Sequence, residues 1–507
     1  MFTFITATAL TTTATAPGAC GAPSSPGAWS HAGPGGYINN GDKLAMASAG
    51  AAQAAVRIDS DNSWLVATAN GGIWKTASLL AKRPHWTNVL DGQPITCTSI
   101  SAMAGLNGTV VAGCGGATSS EMGLNWQVFN SGDWAGVMAS DDGGATWRMT
   151  SFPPNYYITS VVVVGPRSFV VAARSHLHRA DDGGVWHTAD GGATWTRTFA
   201  RPVYSLAREP KSGVVLAAVP WSTTSVVLAS ASGGTAADWT AWEAGLGFDG
   251  RTPFYPTFAV GDGVVFYGAL TVSPIDLTDT ASVVFSRPLS ELSGGDASGG
   301  GWVRVANQPA RLDIDGMPKD RMALLVDPSD DATLYVAGNA DALTWRVDWA
   351  AGTWADLGAT DTTDGSEPHS DCRNYYWEPK SSSLVLLSDG GAFLRTGPSK
   401  KGGGKWTSLA GDTAAMEFVE AKFAKGRWVG GAQDNTVQLS NGSATDPAIG
   451  YIFGDGTVVD IDAVSGAAPR YWGCTQVTRR HCHFLLHRHH HHHPTTAATE
   501  PRQLSRL

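Results

Sequence analysis

Three short segments of this 507-residue chain bring together side chains able to do chemistry. Pro368-His369-Ser370-Asp371-Cys372-Arg373 places an imidazole, a carboxylate and a guanidinium side by side, just ahead of the aromatic stretch Tyr375-Tyr376-Trp377. Gln433-Asp434-Asn435 follows the glycine pair Gly430-Gly431, at the end of a strand signal that contains Trp428-Val429. Asp455 sits between two glycines, and Asp460 and Asp462 follow on the next strand-like run. Hydrolysis of a glycosidic bond needs two carboxyl groups on opposite sides of it, about 5 to 9 Å apart. On that chemistry Asp434 and Asp371 are the candidate catalytic pair. His369, Arg373, Gln433, Asn435, Asp455 and Trp377 are the candidate ligand contacts. No cofactor is required, but carboxylate and amide oxygens in this number would also suit a hard cation such as Ca²⁺. Plainer readings stay open beside these. Gln433, Asp434 and Asn435 could satisfy backbone groups of an inner strand, and the three aromatics could stack on sugar faces or pack between strands.

The elements that must position these residues are announced by a repeated phrase. Asp142-Gly143-Gly144-Ala145-Thr146-Trp147 returns as Asp190-Gly191-Gly192-Ala193-Thr194-Trp195. Its first half recurs at Asn70-Gly71-Gly72, Asp182-Gly183-Gly184 and Asp389-Gly390-Gly391. The Trp half recurs at Trp86, Trp147, Trp195, Trp239, Trp302, Trp354 and Trp406, at spacings of roughly 45 to 60 residues, the length of a four-stranded propeller blade. The Asp carboxylate can accept nearby backbone N–H bonds, the glycines supply positive φ, and the Trp brings apolar area to bury against a neighbouring blade. Asp142, Gly144, Trp147, Asp190, Gly192 and Trp195 are therefore structural, and the Asp of every such phrase reads as a turn-holder. The fold class expected is all-β, a β-propeller of seven or eight blades, with seven favoured. Ala28-Trp29-Ser30 could close the ring as an outer strand of a last blade built mainly from residues 412–442.

Composition narrows the partners. With 61 Gly and 20 Trp the chain suits many turns and many blade contacts, and a net charge of −9 argues against nucleic acid. No apolar stretch is as long as a membrane-spanning helix, so no membrane span is expected, and a monomer is. Two basic clusters, Arg174, His176, His178 and Arg179, and Lys422, Lys425 and Arg427, read as solvated edge strands. Cys97 and Cys114 flank a hairpin signal and could form a disulfide, or remain two buried thiols. A disulfide would place the protein outside the cell or in an organelle lumen. Residues 1–27 read as a disordered leader or a weak signal, residues 28–470 as one propeller domain, and residues 471–507 as a low-complexity tail. That tail, with its run His489 to His493, also reads as an incorrectly predicted or truncated end.

The phrases at residues 140–147 and 188–195 resemble the Asp-box, or BNR, repeat of sialidases, xyloglucan-hydrolysing enzymes and the sortilin luminal domain. Trp29 with Gly33-Pro34, the stretch Ala69 to Thr76, Gly430 to Asn435 and Gly454-Asp455-Gly456 together resemble the xyloglucanase-like group over most of the chain. His369 and Asp371 also resemble a His-x-Asp phrase of that group. The resemblance implies an Asp-box propeller that binds a poly- or oligosaccharide on one face, with hydrolysis by a carboxyl pair. Two departures limit it. Sialidases carry a Phe/Tyr-Arg-Ile-Pro motif that this chain lacks, and xyloglucanase-like enzymes hold the glycan between two tandem propellers, where this chain has room for about one. The alternatives are a non-catalytic, sortilin-like scaffold for protein or peptide and, less favoured, an organellar assembly factor.

Overall fold

The computed structural model describes residues 37–39, 46–115, 134–175, 183–220, 226–276, 279–292, 301–309, 322–338, 344–424, 426–440, 448–450, 456–462, 469–475 and 483–485. Seven four-stranded antiparallel sheets follow one another, over residues 52–88, 100–149, 156–199, 205–241, 252–304, 323–356 and 372–408, each with its strands in chain order. The first strand of each sheet packs on the first strand of the next. Cys372–Glu378, which opens the seventh, packs on Ala52–Arg57, which opens the first. The seven sheets so close into a ring with their first strands around the axis. This is the β-propeller architecture expected from the repeated phrase.

The middle strands show why the sequence reads as it does. Thr109–Cys114, Val215–Ala218 and Ser383–Ser388 are buried along their whole length. Each sheet is sandwiched between two neighbours, so these strands are continuous apolar runs rather than alternating ones. The seven Trp residues stand at the start of the seven fourth strands, and each joins the core shared with the preceding sheet. Trp302, Trp354, Trp406 and Trp86 also donate Nε1–H to the carbonyls of Trp242, Ala306, Leu357 and Leu409, at 2.8, 3.0, 2.9 and 2.9 Å. Those carbonyls lie just past the fourth strand of the preceding sheet, so one residue type repeats one docking contact around the ring.

The turns at Asp142 and Asp190 join third to fourth strands. Asp142 Oδ1 accepts from the N–H of Ala145 and Thr146, both at 2.9 Å, and Oδ2 accepts from the Thr146 hydroxyl at 2.6 Å. Asp190 repeats this with Ala193 and Thr194. Gly192 has φ 90°, and a Cβ there would stand 2.4 Å from a Thr150 methyl. Asn107-Gly108, both at positive φ, turn the hairpin that leads to Cys114, and Cys114 is bonded to Cys97.

Closure differs from the expectation that residues 412–442 form the ring's last blade. Sheets one and seven share an apolar core that includes Ala55, Val66, Val385 and Leu387. Trp64 Nε1 donates to Glu378 Oε2 at 2.8 Å across the same seam, with both side chains buried. No strand is exchanged there. Phe418–Ala424, Arg427–Ala432, Val437–Leu439 and Ala448–Gly450 instead make a separate sheet, extended by the N-terminal strands Tyr37–Asn39 and Ala47–Ser48 to six. Gly456–Asp462 and the two strands after it form a three-stranded sheet that packs beside it, around Val429, Val437, Leu439, Val459 and Tyr471. Ala28, Trp29 and Ser30 lie outside the described residues.

Candidate functional site

In a sheet of four sequential strands, the start of the first strand and the turn between the second and third lie at one end. The turn between the third and fourth lies at the other. Asp142 and Asp190 thus mark one end of the ring, whereas Asn70, Ser99, Asp371 and Asp389 share the opposite end. The eighth sheet presents the equivalent end, the turn Gln433-Asp434-Asn435, to sheets one and seven. The two chemistry-bearing segments, far apart in sequence, meet at this seam.

Asp371, Asp389 and Asp434 each offer a carboxylate oxygen within 4.8 Å of the others. Asp371 and Asp434 are half-buried, and Asp389 is buried. Arg373, also buried, donates Nε–H to Asp389 Oδ1 and offsets one of the three charges. His369 Nδ1 lies 3.0 Å from the Ser370 carbonyl oxygen and Nε2 lies 3.2 Å from that of Asp434. Asn435 Nδ2 donates to the carbonyls of Asp389 at 3.0 Å and Gln433 at 2.8 Å, and Gln438 Nε2 donates to that of Asn435. Gln433 Nε2 reaches Asp434 Oδ1 at 3.4 Å. Farther along the seam Ser99 donates to Asn70, and Asn70 donates to Glu417.

The backbone is held hard to achieve this. Asp371, Asp434 and Thr436 have φ of 59°, 52° and 62°, the left-handed region, which costs non-glycine residues about 1–3 kcal/mol each. Gly390 lies so close to His369 that a Cβ would stand 2.4 Å from its ring. Three carboxylates this close repel. Such a set of oxygens would suit a hard cation held on Asp371, Asp389 and Asp434, or hydroxyl donors of a ligand. Taken as a catalytic pair, Asp371 and Asp434 have carboxylate oxygens within 4.8 Å of one another, closer than the ~6.5–9.5 Å of inverting glycosidases.

The remaining sequence candidates fall elsewhere. Trp377 stacks on Tyr335, ring centres 6.3 Å apart, within the core between sheets six and seven, and Tyr375 is buried there too. Both pack between blades. Asp455 lies outside the described residues. Arg174, read as part of a solvated edge strand, is buried with its guanidinium 4.9 Å over the ring of Tyr157, its partner on the adjacent strand, because Ser168–Ser175 is an inner strand of its sheet. The other members of that cluster, His176, His178 and Arg179, lie outside the described residues. Lys422 pairs with Glu420 at 2.8 Å. Sequence reasoning missed Asp389, taken as one more turn-holder. A signal was present: the Thr that takes the carboxylate of Asp142 and Asp190 is replaced after Asp389 by Phe393, so the hydroxyl that anchors those turns is missing here.

No family model matches the chain, and no curated protein matches its sequence. Solved structures do resemble it. An ancestral GH74 enzyme is 14% identical, covering 84% of this chain and 58% of its own, with a TM-score of 0.58. The GH74 enzyme of Niastella koreensis is 13% identical, covering 89% of this chain and 66% of its own, with a TM-score of 0.60. YCF48 bound to D1 peptide, at 13% identity, reaches a TM-score of only 0.42, too low to bear on this chain. The chain thus spans 58% and 66% of the lengths of the two GH74 enzymes. At these identities the likeness establishes the fold: the chain is a β-propeller protein.

Proposed function

We propose that this chain is a glycan-associated, Asp-box propeller of the xyloglucanase-like kind. It binds a poly- or oligosaccharide at the seam between the ring and the eighth sheet. The observation that carries the reading is the meeting of Asp371, Asp389 and Asp434 there. Half-buried carboxylates accept hydroxyl hydrogens from a sugar, and Arg373, His369 and Asn435 hold them in place. The two carboxylates with access to solvent, Asp371 and Asp434, are the pair on which hydrolysis would rest. One would serve as nucleophile and the other as general acid. Among the described residues no helix is long and apolar enough to cross a membrane. The Cys97–Cys114 bond fits an oxidising compartment.

A glycan-array screen of the full chain tests this, with products of any hit separated by chromatography. Binding and turnover should both appear, and Asp371→Ala or Asp434→Ala should abolish turnover while the fold persists by circular dichroism. Binding without turnover would leave a lectin-like protein. A folded protein that binds no glycan would favour the scaffold reading. One observation already leans that way: Phe418, Val419, Phe423 and Val458 leave apolar surface exposed on the eighth and ninth sheets, which a protein partner could cover.

A further inference from the structure

A second feature lies on the axis of the ring. The first strands of sheets three, four, five and seven enclose a cavity of about 150 Å³. Ser160, Tyr204, Ser205, Thr257, Phe258 and Asn374 line it, and no lining residue is charged. The Ser205 and Thr257 hydroxyls make no hydrogen bond to the protein among the described residues. Ser160 Oγ already accepts from the Leu206 N–H at 3.0 Å, and Asn374 Nδ2 donates to the Gln53 carbonyl at 3.3 Å.

The wall of this cavity departs from regular β-structure. The pairing of Thr252–Val260 with Val264–Val272 shifts register between Phe254 and Thr257. Inside that shift Tyr255 takes φ 42°, which is rare for a bulky side chain, and its ring packs edge-on against Tyr204 at 5.1 Å. A bulge bends its strand and re-aims side chains, and it breaks the regular alternation just ahead of Thr257 and Phe258, two of the lining residues. Backbone strain of this sort concentrates at binding sites, where the surroundings must hold it.

We propose that this axial cavity is a subsite for one neutral sugar residue at the end of the bound glycan. The inference rests on the glycan reading above and sharpens it from binding along a chain to recognition of a chain end. Hydroxyl and amide groups match a sugar's hydroxyls, and polar atoms make up nearly all of the cavity's surface. With no cation in the lining, an acidic sugar would lose the hydration of its carboxylate for nothing in return. Asn374 and Asp371 lie on one stretch of chain, about 10 Å apart at strand rise, so a glycan whose end enters the cavity leads back toward the carboxylates.

The test uses the full chain and a neutral oligosaccharide taken from the screen, with affinity measured by calorimetry. Ser205→Ala with Thr257→Val removes two hydroxyls at nearly constant volume and should weaken binding roughly tenfold or more, at about 1 kcal/mol per hydrogen bond. A bulky cap on one terminus of the same oligosaccharide should abolish binding, and replacing that terminal residue by a uronic acid should weaken it. Unchanged affinity in the double variant and for the capped ligand, with turnover still lost in Asp371→Ala, would leave the glycan reading standing and overturn the axial subsite. That result would mean a channel filled by water only. Failure of every glycan to bind the wild-type chain would overturn both.

Discussion

At the scale of single residues, the same side-chain type does opposite work at the two ends of the ring. Asp190 is held by the Thr194 hydroxyl and N–H and by the Thr188 hydroxyl, and these bonds keep its carboxyl well below the ordinary value of 3.8. The sign follows from linkage. The unfolded chain binds this proton more readily, so the stabilisation is complete above pH 3.8 and drains as pH falls toward the lower folded value. Asp190→Asn should therefore flatten the acid limb of stability, measured as urea midpoints between about pH 6 and pH 2. Were that limb unchanged, the turn would not be sensing protonation through Asp190. Asp389 instead forms a buried ion pair with Arg373. Arg373→Met would strand that carboxylate without its counter-charge and should cost about 3–5 kcal/mol in denaturant unfolding. A loss below about 1 kcal/mol would mean that the site tolerates an uncompensated charge, as one holding a cation would.

At the scale of elements, the repeat unit is a sheet that cannot bury itself. Each fourth strand leads with a Trp that completes the core of the preceding sheet, so a single position decides each junction. Trp86 matters most because its junction closes the ring, joining residues from sheets one and seven that are more than 300 positions apart. Trp86→Ala should lower stability by about 3–5 kcal/mol in a denaturant titration. If Trp86→Ala cost no more than replacement of the half-buried Trp354, Trp354→Ala, closure would rest on the Trp64–Glu378 bond and the aliphatic core instead. The positions of all seven Trp were legible in the chain, because a large apolar residue beside a Gly-rich turn at constant spacing has few other uses. The fate of Tyr375 and Trp377 was not, since an aromatic strand looks the same whether it faces a sugar or a neighbouring blade.

At the scale of the whole molecule, the ring closes without exchanging a strand, and the chain after it begins another β-unit. The Cys97–Cys114 bond, spanning 17 residues, ties the segment that leads into the second sheet to that sheet's second strand. Replacing both cysteines by alanine should cost about 3 kcal/mol, read from thermal and denaturant unfolding together. An unchanged midpoint would show that the core around Ile100 and Met103 already fixes this segment. The His369 and Asn435 contacts are the polar ties that hold the eighth sheet's turn against the seventh sheet.

Sequence alone determined what depends on local chemistry and spacing. The blade period, the turns at Asp142 and Asp190 and the Trp positions all follow from which residue types recur and where glycines permit positive φ. Tertiary structure alone decided which carboxylates meet. Asp371, Asp389 and Asp434 come from two different sheets, and their approach is set by how the eighth sheet docks on the closed ring. That docking rests on long-range packing and left-handed backbone at three residues, neither of which has a periodic trace in the chain. The axial cavity was hidden for the same reason: its lining comes one to three residues at a time from four segments of the chain, and no short stretch of sequence contains it.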